Sequence, residues 1–365
     1  MRIVVDVSPL SLQRTGIGNY LLGMLGGLSE AIGKEDELTA FAIAGPRRKR
    51  VIEQALEGLQ LERRLVLVPP SAHTWRTAWS RLGRLPVERL AGGLDVFHFS
   101  DWMYPPQRAG IRATTIYDLI PLHFPEWVAP LTRRMHGRKY RNAARTCDVI
   151  FAISGYTAND VAETLRIERE RVHVAYPGVE DRFRPDGERR DLGAPYVLGV
   201  STVEPRKNLD VLLQAFALVR SRRPELALAI AGPSGWAAGK GPRGEGVRWL
   251  DFVPDSELPA LYRGAAVSVY ASRFEGFGIP IVESMACGTP VVSSAHPSLD
   301  EASGEAALRA DPSSPEAFTD AIERALDDPG ELALRGLSHA ARFTWRACGE
   351  AVVGGYRTVL RNLRS

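Results

Sequence analysis

The sequence predicts an α/β protein made of two doubly wound, Rossmann-like domains. Three observations carry this expectation. Short apolar runs that read as buried strands alternate along the chain with amphipathic helical stretches. Two of these strands lead through a polar loop directly into a helix, once at residues 13–20 and once at 201–208, the arrangement that doubly wound folds use to bind ligands. The charge also divides. Residues 1–185 carry 26 Lys and Arg against 20 Asp and Glu, a net of +6, whereas 186–365 carry 20 against 23, a net of −3.

A length of 365 residues suits two domains, and a hydrophobic content of 45% supplies a core for each. No run of about 18 apolar residues occurs, so no membrane-spanning helix is expected. The opening Met1-Arg2-Ile3-Val4-Val5-Asp6 has an acid inside its apolar run and reads as a buried strand, not a signal peptide. Cys147, Cys287 and Cys348 are odd in number and far apart. That argues against a disulfide framework or a zinc site, and for a reducing cytoplasm. The overall charge of +3 is too small to suggest a nucleic-acid binder.

Strand one spans residues 3–7. The turn after it, Gln13 to Tyr20, carries Gly16 and Gly18, and an apolar helix follows from Leu21 to Leu28. Strand, glycine loop and helix is the phosphate-cradling arrangement of doubly wound folds, and a plain tight turn is the equal alternative. A dinucleotide site would also need a third glycine and an acid after strand two, but strand two, Ala40–Ala44, ends in Gly45-Pro46. Further strands are expected at 65–68, 96–99, 113–116, 149–153 and 172–174. Tyr117 and Asp118 lie just past one of them, at the carboxyl edge where such sheets bind ligands. Asp118 reads equally as a turn or N-cap acid. His98 reads as a satisfied core histidine, and His123 lies a few residues beyond Asp118. Ser154 is a candidate N-cap. Residues 184–194 are charged and turn-rich, a linker pattern.

The second half opens on a strand at Tyr196–Val200, followed by Ser201 to Asn208 and a helix from Leu209 to Val219. Arg206 and Lys207 at this loop suit a diphosphate, since Arg grips two oxygens and Lys adds a point charge. The bland alternative is a solvated pair of cations. Strands at 226–231, 247–250 and 267–270 follow, with a glycine-rich loop at 239–246. In Glu275-Gly276-Phe277-Gly278, two glycines surround one aromatic, which predicts a tight loop with free N–H groups. Pro280 suits the first turn of a helix, Gly288 its end and Val291-Val292 the next strand. Glu275 sits in the loop and Glu283 on the helix. Two acids beside an anion site fit a ligand that carries both a diphosphate and hydroxyls, which describes a nucleotide-sugar. The alternative is acids placed favourably at a helix start. After residue 310 two helices are expected, the last from Trp345 to Leu363.

Glu275 and Glu283, eight apart around Gly-Phe-Gly and followed by Ala286-Cys287-Gly288-Thr289-Pro290-Val291-Val292, resemble the E-x7-E motif of retaining glycosyltransferases of family four. The resemblance implies the GT-B fold, with two Rossmann-like domains facing a central cleft. It would place an acceptor domain at 1–185, a nucleotide-sugar domain at 192–345 and a returning helix at 346–365. It also implies roles. Glu275 and the N–H groups of Gly276, Phe277 and Gly278 would hold the donor sugar, Glu283 the ribose and Val253 the base. Gly16 and Gly18 would face the donor diphosphate or the acceptor. The family pairs Lys207 with an Arg about six residues earlier. Ser201 stands there, so Arg206 is expected to take that part. Tyr117 replaces a His common in mannosyl members, Asp118 is kept, and Glu275, Asp118 and Tyr117 are the expected catalytic positions. The Asp6–Ser8–Pro9 start, Gly16-Ile17-Gly18 and the run Tyr117-Asp118-Leu119-Ile120-Pro121 look most like mannosyltransferases, so GDP-mannose is the expected donor. The acceptor would be a saccharide or lipid-linked saccharide. Neither metal nor cofactor is expected. A non-catalytic scaffold or a nucleotide-sugar epimerase of the same fold are the rival readings.

Two basic stretches bear on a membrane partner. One holds Trp75, Arg76, Trp79, Arg81 and Arg84; the other holds Arg133, Arg134, Arg138, Lys139, Arg141 and Arg145. On a helix, 134, 138, 141 and 145 share a face. Such surfaces suit anionic lipid, which would place the chain peripherally on an inner membrane face. An ordinary solvated face is the alternative.

Overall fold

The computed structural model describes residues 1–12, 16–67, 74, 79, 85–100, 104–235 and 241–363. The chain divides into two compact units. The first comprises Met1–His123, Pro130–Gly178 and Thr344–Ser365; the second comprises Phe124–Ala129 and Val179–Phe343.

The first unit is a parallel sheet of seven strands in the order β3-β2-β1-β4-β5-β6-β7. The strands are β1 (Arg2–Asp6), β2 (Glu37–Ala44), β3 (Glu62–Leu67), β4 (Val96–Phe99), β5 (Ile111–Ile116), β6 (Val149–Ala152) and β7 (Val172–Val174). Helices α1 (Gly16–Ala31), α2 (Pro46–Ala55), α3 (Pro130–Thr146) and α4 (Gly155–Leu165) connect them. Both sheet faces are covered, which is why β1, β4 and β6 are buried without alternation. Phe41, Phe97, Phe99, Ile116 and Ile150 pack with Tyr140 and Ala143 of α3 on one side. On the other, Tyr356 lies edge-on to Phe151. Ser154 caps α4 by accepting from the Thr157 N–H at 3.0 Å.

The second unit is a parallel sheet of six strands in the order β10-β9-β8-β11-β12-β13. These are β8 (Tyr196–Val200), β9 (Ala227–Ala231), β10 (Val247–Asp251), β11 (Val267–Tyr270), β12 (Val291–Ser294) and β13 (Leu308–Ala310). Helices α5 (Leu209–Arg222), α6 (Leu258–Gly264), α7 (Ile279–Ala286), α8 (Pro315–Asp327) and α9 (Pro329–Ala340) accompany them. Two apolar clusters hold the unit together, one around Phe216, Val269 and Phe318 and one around Phe183, Tyr196 and Tyr262.

Three helices follow residue 310, not two. The break falls at Asp328, which has φ −133° and ψ 73° before Pro329. Proline disfavours helical geometry in the residue before it and suits the first position of the next helix. The last helix, α10 (Trp345–Asn362), belongs to the first unit. It packs on α1 and on β5, β6 and β7. Its contact with α1 is backbone on backbone: a Cβ at Gly349 would stand 2.1 Å from the Gly27 carbonyl carbon.

Trp79 corrects the idea of an exposed aromatic anchor. It is 8% exposed, edge-on to Phe41 at 6.3 Å, with its indole N–H donating to the Leu85 carbonyl. Its large apolar ring gains more from the core than from solvent. Trp75, Arg76, Arg81 and Arg84 lie outside the described residues. In α3, Arg133, Arg134, Arg141 and Arg145 are exposed and Arg138 is partly so. Among the described residues no helix is long and apolar enough to cross a membrane.

Candidate functional site

The site in the second unit starts from a turn. Arg206 and Lys207 lie in a single 3-10 turn, Pro205–Lys207, within the loop between β8 and α5. Asn208 closes it with φ 57°, a left-handed geometry that Asn tolerates better than most residues. The Asn208 side chain fixes the turn by donating to the Ala271 carbonyl at 3.1 Å and the Pro312 carbonyl at 2.7 Å. From the segment after β11, the Arg273 N–H donates to the Arg206 carbonyl at 2.9 Å. Its side-chain Nε donates to Asn208 Oδ1, also at 2.9 Å. These bonds carry the two cations to the loop that holds Glu275.

Glu275 Oε1 accepts from Arg206 Nη1 at 2.6 Å and from Lys207 Nζ at 2.7 Å. Arg206 Nε also donates to Glu204 at 2.9 Å, and Lys207 Nζ to the Tyr270 hydroxyl at 2.8 Å. Burial by itself would raise the Glu275 carboxyl. The guanidinium and the ammonium outweigh it and hold the group at about 2. Burial, then Arg206, pushes the Lys207 ammonium down, and Glu275 opposes them. Glu275 is therefore ionised at neutral pH, and charge-assisted bonds of this length are strong ones.

The loop beyond Glu275 turns through Gly278, which caps α7 with φ 106°. A side chain there would be strained and 3.0 Å from a Leu299 methyl. The Phe277 ring is buried edge-on to Phe343 at 5.2 Å. As a binding residue it thus has only its backbone to offer. Glu283, on α7, is half-buried and accepts from the Tyr262 hydroxyl at 3.2 Å. Burial raises its carboxyl to about 7, with the Tyr262 bond and Arg182 working against the rise and Glu180 and Asp255 adding to it. One motif thus carries two acids of opposite character. Val253 is half-buried beside the Phe183–Tyr262 cluster.

In the first unit, Gly16 and Gly18 stand in the first turn of α1 and not in a loop before it. A Cβ on either would meet nothing within 4 Å. Asp118 Oδ1 accepts from the Ile120 N–H at 2.9 Å, the turn role that its position allowed. The Tyr117 ring meets the Tyr20 edge at 5.4 Å, and the buried Lys139 ammonium lies 5.5 Å from its centre. Lys139 Nζ also donates to the Thr115 carbonyl at 2.5 Å. His98 is a core residue, bonded to Tyr356 Oη at 2.6 Å and Thr115 Oγ1 at 3.0 Å, and burial lowers it to about 3. His123 pairs with Asp160 at 2.7 Å. Lys139 therefore does not belong with the arginines on the solvent face of α3. Its spacing to the buried Ala143, one helical turn on, was the available signal.

Comparison with known proteins follows the same two halves. Residues 15–183 match the family model described as Glycosyltransferase Family 4, and residues 181–342 match Glycosyl transferases group 1. The chain is 28% identical to O-antigen chain mannosyltransferase B of Escherichia coli, covering 98% of this chain and 100% of that one. It is 31% identical to D-inositol 3-phosphate glycosyltransferase of Acidothermus cellulolyticus, covering 77% and 71%. Among solved structures, sucrose-phosphate synthase from Thermosynechococcus elongatus superposes with a TM-score of 0.72 over 99% of both chains at 17% identity, a likeness of fold. The chain belongs to glycosyltransferase family four and is a hexosyltransferase of the GT-B fold.

Proposed function

We propose that this hexosyltransferase moves mannose from GDP-mannose, with retention at the anomeric carbon, onto a saccharide or lipid-linked saccharide. The observation that carries the reading is Glu275 locked between Arg206 and Lys207. A donor diphosphate presents the same anionic oxygens to the same cations, so it competes with Glu275 for them. Glu275 displaced in this way turns to the sugar hydroxyls, the position the motif resemblance gives it. The anomeric carbon–phosphate oxygen bond breaks. The acceptor oxygen attacks from the same face, and the departing phosphate takes the acceptor's proton. Arg206 and Lys207 stabilise the charge that develops on the diphosphate. Glu283 receives the ribose, the Val253 backbone the base, and Gly16 and Gly18 leave room for a diphosphate or acceptor. Tyr117 and Asp118 line the carboxyl edge on the acceptor side. Mannose is supported by the Escherichia coli relative and by the run from Tyr117 to Pro121.

A peripheral membrane partner fits the same reading. Helix α3 has no acidic residue, exposes Arg133, Arg134, Arg141 and Arg145, and leaves Leu131 69% exposed. A lipid-linked acceptor would present its sugar at such a surface. The test of the donor is a panel of nucleotide-sugars screened for thermal stabilisation and slow hydrolysis. GDP-mannose should stabilise most and turn over. Turnover of another donor alone would replace the assignment, and binding without turnover of any would favour the scaffold.

A further inference from the structure

The Glu275 backbone is held by a neighbour that the donor motif does not contain. Its N–H donates to Ser298 Oγ at 3.1 Å. Ser298 is buried, and its hydroxyl lies 2.9 Å from His296 Nδ1. The Ser298 N–H donates to the same Nδ1 at 3.2 Å. Counting protons settles the direction of the chain. Nδ1 accepts from a backbone N–H, so it carries no hydrogen. The Ser298 hydroxyl proton must then point at Nδ1, which leaves the Oγ lone pairs for the Glu275 N–H. In this arrangement Nδ1 shares its lone pair between the two Ser298 donors, and the imidazole is neutral with its hydrogen on Nε2.

The backbone that carries the ring is itself held in place. The Arg309 guanidinium donates to the His296 carbonyl at 3.1 Å and to Asp300 at 2.7 Å. The Leu299 N–H donates to the same carbonyl at 2.9 Å. Phe274, next to Glu275, lies edge-on to the imidazole at 5.5 Å and edge-on to Phe124 at 5.3 Å. Among the described residues, Asp300 and Arg309 act on the ring by charge, and Glu275 stands at the far end of the relay.

We propose that His296 is a positioning residue of the transferase, acting through Ser298 to fix the backbone from which the Glu275 carboxylate projects. The inference rests on the reading of Glu275 as a donor-site residue. A proton on Nδ1 removes the acceptor that both Ser298 bonds need, turns the hydroxyl away and loosens the Glu275 loop. Burial, opposed by Asp300 and aided by Arg309, keeps the imidazole below its ordinary value and so favours the relay at neutral pH.

Two kinds of measurement test this. On the wild-type chain, long-range proton–nitrogen NMR should show the Nε2–H tautomer of His296, and a protonated Nδ1 would overturn the relay outright. Hydrogen exchange at the Glu275 amide should quicken about tenfold in Ser298→Ala, the scale of one lost hydrogen bond, and unchanged exchange would overturn it too. In turnover, His296→Ala should lower kcat about tenfold, by the same scale, with nucleoside diphosphate Kd within about twofold. His296→Asn places an amide oxygen near the position of Nδ1. It should restore most of kcat and abolish the fall of kcat that protonation of Nδ1 is expected to cause at acid pH in the wild type. If Glu275→Gln lowers kcat and His296→Ala does not, the relay alone is wrong. If neither does, the donor-site reading of Glu275 falls with it.

Discussion

Lys207 and Glu275 meet in a buried contact of 2.7 Å, and the carboxylate oxygen involved takes a second bond from Arg206. The pair is separated by 68 residues, so only the fold brings it together. Lys207→Ala removes one of the two cations a diphosphate would engage. Transfer should be lost, and nucleoside diphosphate affinity should fall by about 2 kcal/mol, the worth of a charge-assisted bond. Calorimetric titration measures this directly, and unchanged affinity would remove Lys207 from the site.

Glu275 and Glu283 should separate by kinetics. Glu275→Gln keeps the shape and removes the charge that faces Arg206 and Lys207. Turnover should fall more than tenfold, about 1.4 kcal/mol or more of barrier, with a smaller change in nucleotide affinity. Glu283→Gln should weaken nucleotide affinity and leave turnover at saturation closer to wild type. Identical behaviour of the two variants would refute the division of sugar and ribose between them.

The opposite pKa shifts of the two acids give opposite pH signatures. Glu283 is raised to about 7 when folded. Between its ordinary value and about 7 the folded chain therefore binds a proton that the unfolded chain has lost, and stability from this group falls as pH rises through that window. Glu275, held at about 2, contributes stability that is lost only as pH falls below the ordinary carboxylate range. Urea denaturation of wild type and Glu283→Gln from pH 5 to 8 should show a decline that the variant lacks, as a neutral amide has nothing to titrate. Parallel curves would show that Glu283 does not titrate in that window.

The contact of Gly27 with Gly349 makes a stability prediction. Either glycine changed to alanine puts a Cβ within about 2 Å of backbone, so α1 and α10 must part. Gly27→Ala should destabilise by about 2 kcal/mol, in the range of core overpacking. Calorimetry of the melting transition measures this. A neutral substitution would mean that the two helices separate without penalty.

Much of this was legible in the sequence because glycine and proline mark backbone geometry locally. Gly278, Pro280 and Gly288 placed the loop, the start and the end of α7 without any knowledge of tertiary structure. What was illegible depends on partners far away in the chain. The Arg206–Glu275 contact spans 69 residues. Phe277 reads like a loop aromatic until Phe343 covers it, and Trp79 like a surface anchor until Phe41 does. Lys139 sat in a run of arginines that hid it, since composition does not say which cation of a helix turns inward. His296 and Ser298 carry no motif; their role rests on the three bonds that join them to each other and to Glu275.

The membrane reading has the sharpest bland rival, an ordinary solvated face. Helix α3 offers exposed arginines without a single acid among them and a bare Leu131. A cation held near an anionic bilayer gains roughly 1 kcal/mol, and that gain decays within a Debye length as salt rises. Co-sedimentation with vesicles containing anionic lipid should therefore capture the chain at low salt and release it at high salt. Neutral vesicles should capture little. Arg134→Glu, Arg138→Glu and Arg141→Glu together replace three attractions by three repulsions and should abolish capture, while the melting temperature and hydrolysis of a soluble donor stay near wild type, because Arg134 and Arg141 are exposed and Arg138 is partly so. Leu131→Ala should weaken capture by less, through the apolar contact alone. No capture on anionic vesicles at low salt would leave a soluble acceptor as the better reading.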